Sequence, residues 1–226
     1  MRPVNGGLKA ENEHVVPGLR AQFAALAEKR AAGAEPIGWK IGLNVPTVQE
    51  TLGLSRPVIG HLTSRSLVES GSSHSLAGGT RVGVEPEVAL HLGAGARVEA
   101  FGPAIEVVDL DPSIDGLEEI LAANVFHRGV VLGAPVPGVG PADLDDLVAV
   151  VSRNGGVEQR APFSETGERP DEVVAVVADR LALVGERLKA GDVIIAGSLT
   201  PIVFVEPGDT VEVDIEPLGR LALAFS

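Results

Sequence analysis

The 226 residues carry 18 basic and 31 acidic side chains, a formal net charge of −13. Phosphate backbones are held mainly by Lys and Arg, and no basic run offsets the acidic balance, so a nucleic-acid partner is not expected. No run approaches the roughly 18 unbroken apolar residues of a membrane helix, and the absence of Cys removes disulfides, thiolate zinc sites and cysteine nucleophiles. With 45% hydrophobic residues there is material for one large core, and Met1 to Lys9 contains no apolar stretch resembling an export signal. The expectation is a soluble cytoplasmic protein. Aromatics make up only 3% against 28 Gly and 16 Pro, which points to a Val, Leu, Ile and Ala core in a chain of many short strands.

The first element expected is an amphipathic helix over Val16 to Gly33, with Leu19, Phe23 and Leu26 on one side and Gly33 at its end. A strand over Ile37 to Leu43 follows, then a short helix from Pro46 to Leu52 stopped by Gly53, then a Ser- and Gly-rich loop from Ser64 to Gly79. Val84 to Leu92 alternates. Val84, Pro86, Val88, Leu90 and Leu92 share one face, and Glu85, Glu87, Ala89 and His91 the other. Because proline cannot donate to a ladder, Pro86 predicts an edge, a bulge or a strand start. A strand over Ala104 to Leu110 comes next, then a helix capped by Asp115 with Glu118 as partner, burying Leu117, Ile120 and Leu121.

Asn154-Gly155 between Val148–Arg153 and Val157–Arg160 predicts a tight hairpin. Pro170 opens a helix expected to run to Leu188, burying Val174, Val177, Leu181 and Leu188. Strands over Val193 to Ala196, Ile202 to Val205 and Val211 to Ile215 close the chain, with a turn at Pro207-Gly208-Asp209.

Glu85-Pro86-Glu87 is the most suggestive chemical feature. Two carboxylates on one strand face repel each other unless a cation lies between them, and hard oxygen ligands suit Mg²⁺, Mn²⁺ or Ca²⁺. An ordinary solvated strand face is the competing reading. Glu106 lies within the apolar run Ala104 to Val108, where either water or an ion would satisfy it. Lys40, between Gly38 and Gly42, is either a snorkelling surface lysine or a group drawn into a site. His91 sits on the face of the acid pair but away from it, and His61 and His127 read as hydrogen-bonded histidines within reach of a pocket. There is no Walker loop, dinucleotide fingerprint or serine elbow.

Taken in order, Gly38-Trp39-Lys40-Ile41-Gly42-Leu43, Pro46 to Leu54, Pro57-Val58-Ile59-Gly60, Val84 to Ala89 and Ile105 to Asp109 resemble one family. The likeness continues through Asn124, Val131-Leu132-Gly133, Gly191 to Ile194, Gly197-Ser198-Leu199-Thr200 and Pro207-Gly208-Asp209. It is to the 2-oxopent-4-enoate hydratase and 4-oxalocrotonate decarboxylase family, within the fumarylacetoacetate hydrolase superfamily. The resemblance implies an α+β fold, a β-rich mixed β-roll of that superfamily's C-terminal type with a small helical N-terminal portion. Residues 1–62 would pack as that portion on a catalytic β-rich main domain of 63–226, the two forming one structural unit.

The resemblance also implies Mg²⁺ or Mn²⁺ held by Glu85, Glu87 and Glu106, and a small 2-oxo acid substrate of aromatic catabolism. Lys40 would contact the substrate or assist proton transfer. His61, Asn124, Ser198 and Thr200 would line the substrate site. A homo-oligomer, in association with a partner enzyme of the same pathway, is implied too. Several departures bear on the reaction. Val58 stands where hydratases carry Asp, which disfavours hydration and favours decarboxylation. Leu110-Asp111 replaces a Ser-Arg pair, and Ala123 to His127 replaces Asp-Asn followed by small residues. Only 19 positions separate Glu87 from Glu106, as though a helix had been deleted. Hydration, acylpyruvate hydrolysis and a scaffold that binds without turnover are the alternatives.

Overall fold

The computed structural model describes residues 4–111, 113, 114 and 116–226. The cap expected at Asp115 lies outside the described residues, as do the first three residues of the segment read for an export signal. The elements run α1 (Val4–Ala31), β1 (Pro36–Gly42), α2 (Pro46–Leu52), β2 (Val58–Thr63), β3 (Ser73–His74), β4 (Val82–Leu92) and β5 (Val98–Asp109). They continue with α3 (Leu117–Ala122), β6 (His127–Leu132), β7 (Val148–Arg153), β8 (Gly156–Pro162), α4 (Phe163–Thr166) and α5 (Pro170–Ala182). The chain ends with β9 (Val193–Ile195), β10 (Val203–Phe204), β11 (Thr210–Glu216) and β12 (Gly219–Phe225).

Two sheets carry this sheet-rich α+β fold. The seven-stranded sheet has the order β2-β1-β9-β4-β5-β6, with β10 also paired to β4; the five-stranded one runs β3-β12-β11-β7-β8. The larger sheet curls until its two ends meet. Asn124, just before β6, reaches across to the edge strand β2, where its Oδ1 accepts from the His61 N–H at 2.7 Å and its Nδ2 donates to the His61 carbonyl at 3.0 Å. The boundary between residues 62 and 63 falls inside β2, and β1 and β2 belong to the same sheet as β4 and β5.

Helix α1 starts earlier than its apolar pattern indicates and passes through Pro17. It lies on α3 at Gly18, where a Cβ would come within 2.7 Å of the Leu121 Cβ. Helix α5 is shorter than expected, ending at Ala182 before a turn at Gly185, and it buries Pro170, Val173, Val177, Arg180 and Leu181. The hairpin at Asn154-Gly155 forms with both residues at positive φ, 53° and 81°, the conformation that its turn requires. Among the described residues no helix is long and apolar enough to cross a membrane.

Pro86 is the main departure from expectation, for it lies mid-strand in the interior of a sheet. Strand β9 pairs with β4 only at Ala89 to His91, and β10 only at Gly83 and Val84. Pro86 faces the gap between them, where its carbonyl accepts from the Leu199 N–H at 2.9 Å. A missing donor costs little where no neighbouring strand needs it.

Candidate metal centre

The two-residue period of β4 places Glu85 and Glu87 on one face, and the antiparallel register sets Glu106 of β5 directly opposite Glu85. Like charges facing each other across a ladder destabilise it. Here the three carboxylates each offer an oxygen within 4.8 Å of the others, with Glu87 and Glu106 buried and Glu85 half-buried. The 19-residue spacing is resolved by a single three-residue helical turn, Ala94–Ala96, between the two strands.

Lys40 of β1 joins this face. Its Nζ lies 2.7 Å from Glu106 Oε1 and donates to the Val125 carbonyl at 3.0 Å. The glycines around it make the room. A Cβ on Gly60, opposite Lys40 in β2, would sit 2.9 Å from the Lys40 Cγ, and one on Gly42 would meet Val125 Cγ1 at 2.7 Å. Gly60 across the ladder and Gly42 thus make room for a buried ammonium, and the surface-lysine alternative is removed, since Lys40 is only 2% exposed.

Electrostatics divide the three acids. Burial raises Glu85 to about 7, with Glu106 adding to the rise and Lys40 opposing it. Burial lifts Glu87 well above the usual carboxylate range, helped by Glu106 and Glu85 and opposed by Lys40 and the Gly197 N–H. For Glu106 burial also acts upward, but Lys40 and the His127 hydrogen bond prevail and hold it low. Lys40 in turn stays above its ordinary value because the three carboxylates outweigh its burial.

Three carboxylates and one ammonium leave two negative charges when all are ionised, which one divalent cation cancels. Among the described residues the buried Glu106 Oε2 has no hydrogen-bond partner. All-oxygen donors, an orphaned buried oxygen and two acids resisting ionisation fit a hard divalent ion such as Mg²⁺ or Mn²⁺.

The loop after β9 closes one side of the centre. The Gly197 N–H donates to Glu87 Oε2 at 2.6 Å. Gly197 has φ 91°, a backbone conformation that favours glycine, and a Cβ there would lie 2.8 Å from the Asn44 amide nitrogen, which would have to shift. Beside it opens a cavity of about 640 Å³, lined by Glu85, Ser198, Thr200, Asn44, Glu165 and Glu168 among others, with no basic side chain among the described residues of its wall. The Ser198 hydroxyl donates to the Thr200 carbonyl and the Thr200 hydroxyl to the Pro201 carbonyl.

The other residues singled out from sequence lie elsewhere. The Asn124 amide spends both ends on the His61 backbone. In the β1–β2 register His61 falls with Trp39, on the sheet face opposite Lys40, and its Nε2 lies 3.2 Å from Lys29 Nζ. Burial, with Lys29 and His127 contributing, lowers it to about 3, so His61 is neutral. His91 remains apart from the acid cluster. Val58 shares the Lys40 face of β2 and is fully buried.

Sequence reasoning gave no role in the centre to His127, which contacts Glu106, or to Asn44, Glu165 and Glu168. His127 was legible only as a hydrogen-bonded histidine. Nothing local marks the other three, which the fold brings to the cavity from distant segments.

Residues 39–225 match the fumarylacetoacetate (FAA) hydrolase C-terminal family. The chain belongs to the FAA hydrolase family. This member is similar to a 4-oxalocrotonate decarboxylase of Pseudomonas sp., 30% identical over 217 residues that cover 90% of this chain and 84% of the relative. It is similarly 30% identical to a 2-hydroxyhexa-2,4-dienoate hydratase of Comamonas testosteroni, over 88% of this chain and 81% of that one. Among solved structures, 4-oxalocrotonate decarboxylase from Pseudomonas putida G7, complexed with magnesium and adipate, superposes with a TM-score of 0.84 at 25% identity. That likeness covers 92% of this chain and 85% of the other. The curled sheet is therefore the FAA hydrolase fold, and this member of the family is an enzyme.

Proposed function

We propose that this enzyme is a divalent-metal-dependent lyase acting on a small 2-oxo acid or its enol, with decarboxylation as its reaction. The observation that carries this reading is the convergence of Glu85, Glu87, Glu106 and Lys40 on one buried face that borders a cavity. Glu85, Glu87 and Glu106 would hold Mg²⁺ or Mn²⁺, and a structural neighbour named for this reaction was solved with magnesium. The bound ion supplies Lewis-acid stabilisation of the negative charge that develops on the 2-oxo oxygen. Lys40, kept protonated by the three acids, places a second positive charge beside that oxygen. Gly197 fixes Glu87 through its N–H, and the buried Val58 adds no titratable group to the Lys40 face.

Hydration is the second reading, favoured by one observation. Glu168 lines the cavity with its pKa raised by burial, which Asn44 opposes and Glu172 reinforces, so a titratable group is present although Val58 supplies none. The test is incubation with oxalocrotonate, vinylpyruvate and acylpyruvates, with and without Mg²⁺. Metal-dependent CO₂ release supports decarboxylation, water addition supports hydration, and C–C hydrolysis supports neither. Turnover that is indifferent to chelation, or that persists in E106Q, would remove the metal reading.

A further inference from the structure

The segment between α3 and β6 departs from the pattern the rest of the chain follows, and it does so beside the third carboxylate. Asn124, Val125 and Phe126 have φ of 57°, 53° and 63°, three successive left-handed residues without a glycine. Asparagine tolerates this region, but a β-branched valine is strained there. The strain is held in place from two sides. The Asn124 amide clamps the His61 backbone, and the Val125 carbonyl accepts from Lys40 Nζ.

The result of this turn is the position of the next side chain. His127 Nδ1 lies 2.7 Å from Glu106 Oε1, the same oxygen that Lys40 Nζ approaches at 2.7 Å. An ionised carboxylate only accepts, so the proton of this bond belongs to the imidazole. Oε1 thereby has two donors, whereas Oε2, equally buried, has none among the described residues.

We infer that His127 is a positioning residue of the metal centre: its Nδ1–H, with Lys40, occupies Oε1 of Glu106, fixes the carboxylate rotamer and leaves Oε2 as the oxygen that ligates the ion. This rests on the metal reading given above. Buried carboxylates that ligate metals need such outer partners, because a free χ3 torsion would let the ligand rotate away, and loss of such a partner typically weakens metal binding about 10–100-fold. The inference also accounts for a departure noted in the sequence. Where the family pattern has small residues after its Asp-Asn pair, this chain places the strained turn and a histidine.

The test is Mg²⁺ and Mn²⁺ titration calorimetry on the full chain and three variants. H127L removes the donor and fills the space with hydrocarbon. H127N carries an N–H at the δ position, where the ring nitrogen sits, and H127Q carries its donor one atom further out. H127L and H127Q should bind the metal about 10–100-fold more weakly, while H127N stays within about threefold of the parent chain. If H127L does not fold, the comparison of H127N with H127Q carries the same distinction.

Equal metal affinity in H127L and the parent would overturn the positioning role. So would equal losses in H127N and H127Q, which would make the ring a packing element only. A parent chain that binds no divalent ion would overturn this inference and the metal reading together, whereas a parent that binds metal with an indifferent position 127 would overturn this one alone.

Discussion

Glu85, with Glu87, contributes to the pH dependence of the centre because its surroundings oppose the charged form that a bound cation would require. Its folded value of about 7 lies above the ordinary 4.5, so folding favours the protonated acid. In the metal-free protein that contribution is fully present below about 4.5 and is lost as pH rises through 7. The shift corresponds to roughly 3–4 kcal/mol at ~1.4 kcal/mol per unit, an upper bound for a side chain that water still reaches. Saturating Mg²⁺ should therefore raise Tm by several degrees more at pH 8 than at pH 5.5 in scanning calorimetry. An equal gain at both would show that Glu85 is not a ligand.

Lys40 makes the opposite contribution, since its ammonium competes electrostatically with the cation. K40M should bind Mg²⁺ at least as tightly as the parent chain by calorimetry, yet lose about 10²–10⁴-fold in turnover if the ammonium takes part in proton transfer. The shared face of Glu85 and Glu87 was legible from the period of a strand. That Glu106 stands opposite depends on the β4–β5 register, which local sequence does not encode. Lys40 could be placed in the site only through the resemblance, because the glycines that admit it act across strands.

Buried charge also joins elements remote from the centre. Arg180 of α5 is fully buried, and it donates to Glu11 of α1 and to the carbonyls of Pro57 and Arg56. Glu11 in turn accepts from the N–H and hydroxyl of Ser55. One ion pair thus ties α1, α5 and the entry to β2 together. Removing one partner of a buried pair leaves the other charge uncompensated, so E11A should cost about 3–5 kcal/mol in urea unfolding. Its Mg²⁺ affinity should be unchanged, because no residue of the network touches the metal face. An E11A protein as stable as the parent would mean that the pair is solvated in solution.

This network puts an arginine on the buried stripe of α5, which apolar spacing does not indicate. Apolar spacing picks out Val177 and Leu181 but cannot anticipate an arginine on the buried stripe, whose partner is 169 residues away. Pro86 departs from the edge or strand-start expectation for a related reason. A proline is excluded from a ladder only where a neighbouring strand needs its donor, and the gap between β9 and β10 exists only once the chain has folded. By contrast the Asn154-Gly155 hairpin and α2 are set by adjacent residues, and both form as the sequence indicates.

For the whole molecule, the proposed anionic substrate makes net charge the quantity that would govern its arrival. The chain carries a net charge of −13, and the cavity beside the centre adds Glu165 and Glu168 without a basic side chain among the described residues of its wall. The proposed substrate, a 2-oxo acid, is an anion, so it would approach against the field of the protein until it reached the short-range attraction of Lys40 and a bound divalent ion. Screening weakens the long-range repulsion more than the buried contacts. The Debye length falls from ~30 Å at 0.01 M salt to ~8 Å at 0.15 M, less than the span of the molecule but more than the Lys40–Glu106 separation. Association of a 2-oxo monocarboxylate with the Mg²⁺-loaded protein should accordingly quicken as salt is raised over that range at constant free Mg²⁺. A 2-oxo dicarboxylate should respond more steeply, because its second charge faces the same wall. Stopped-flow measurement of both ligands checks this, and the double variant E165Q/E168Q should flatten the dicarboxylate response toward that of the monocarboxylate. Association that slows with salt would show that a positive potential at the mouth outweighs the net charge, and would locate the dominant field in Lys40 and the ion rather than in the acidic surface.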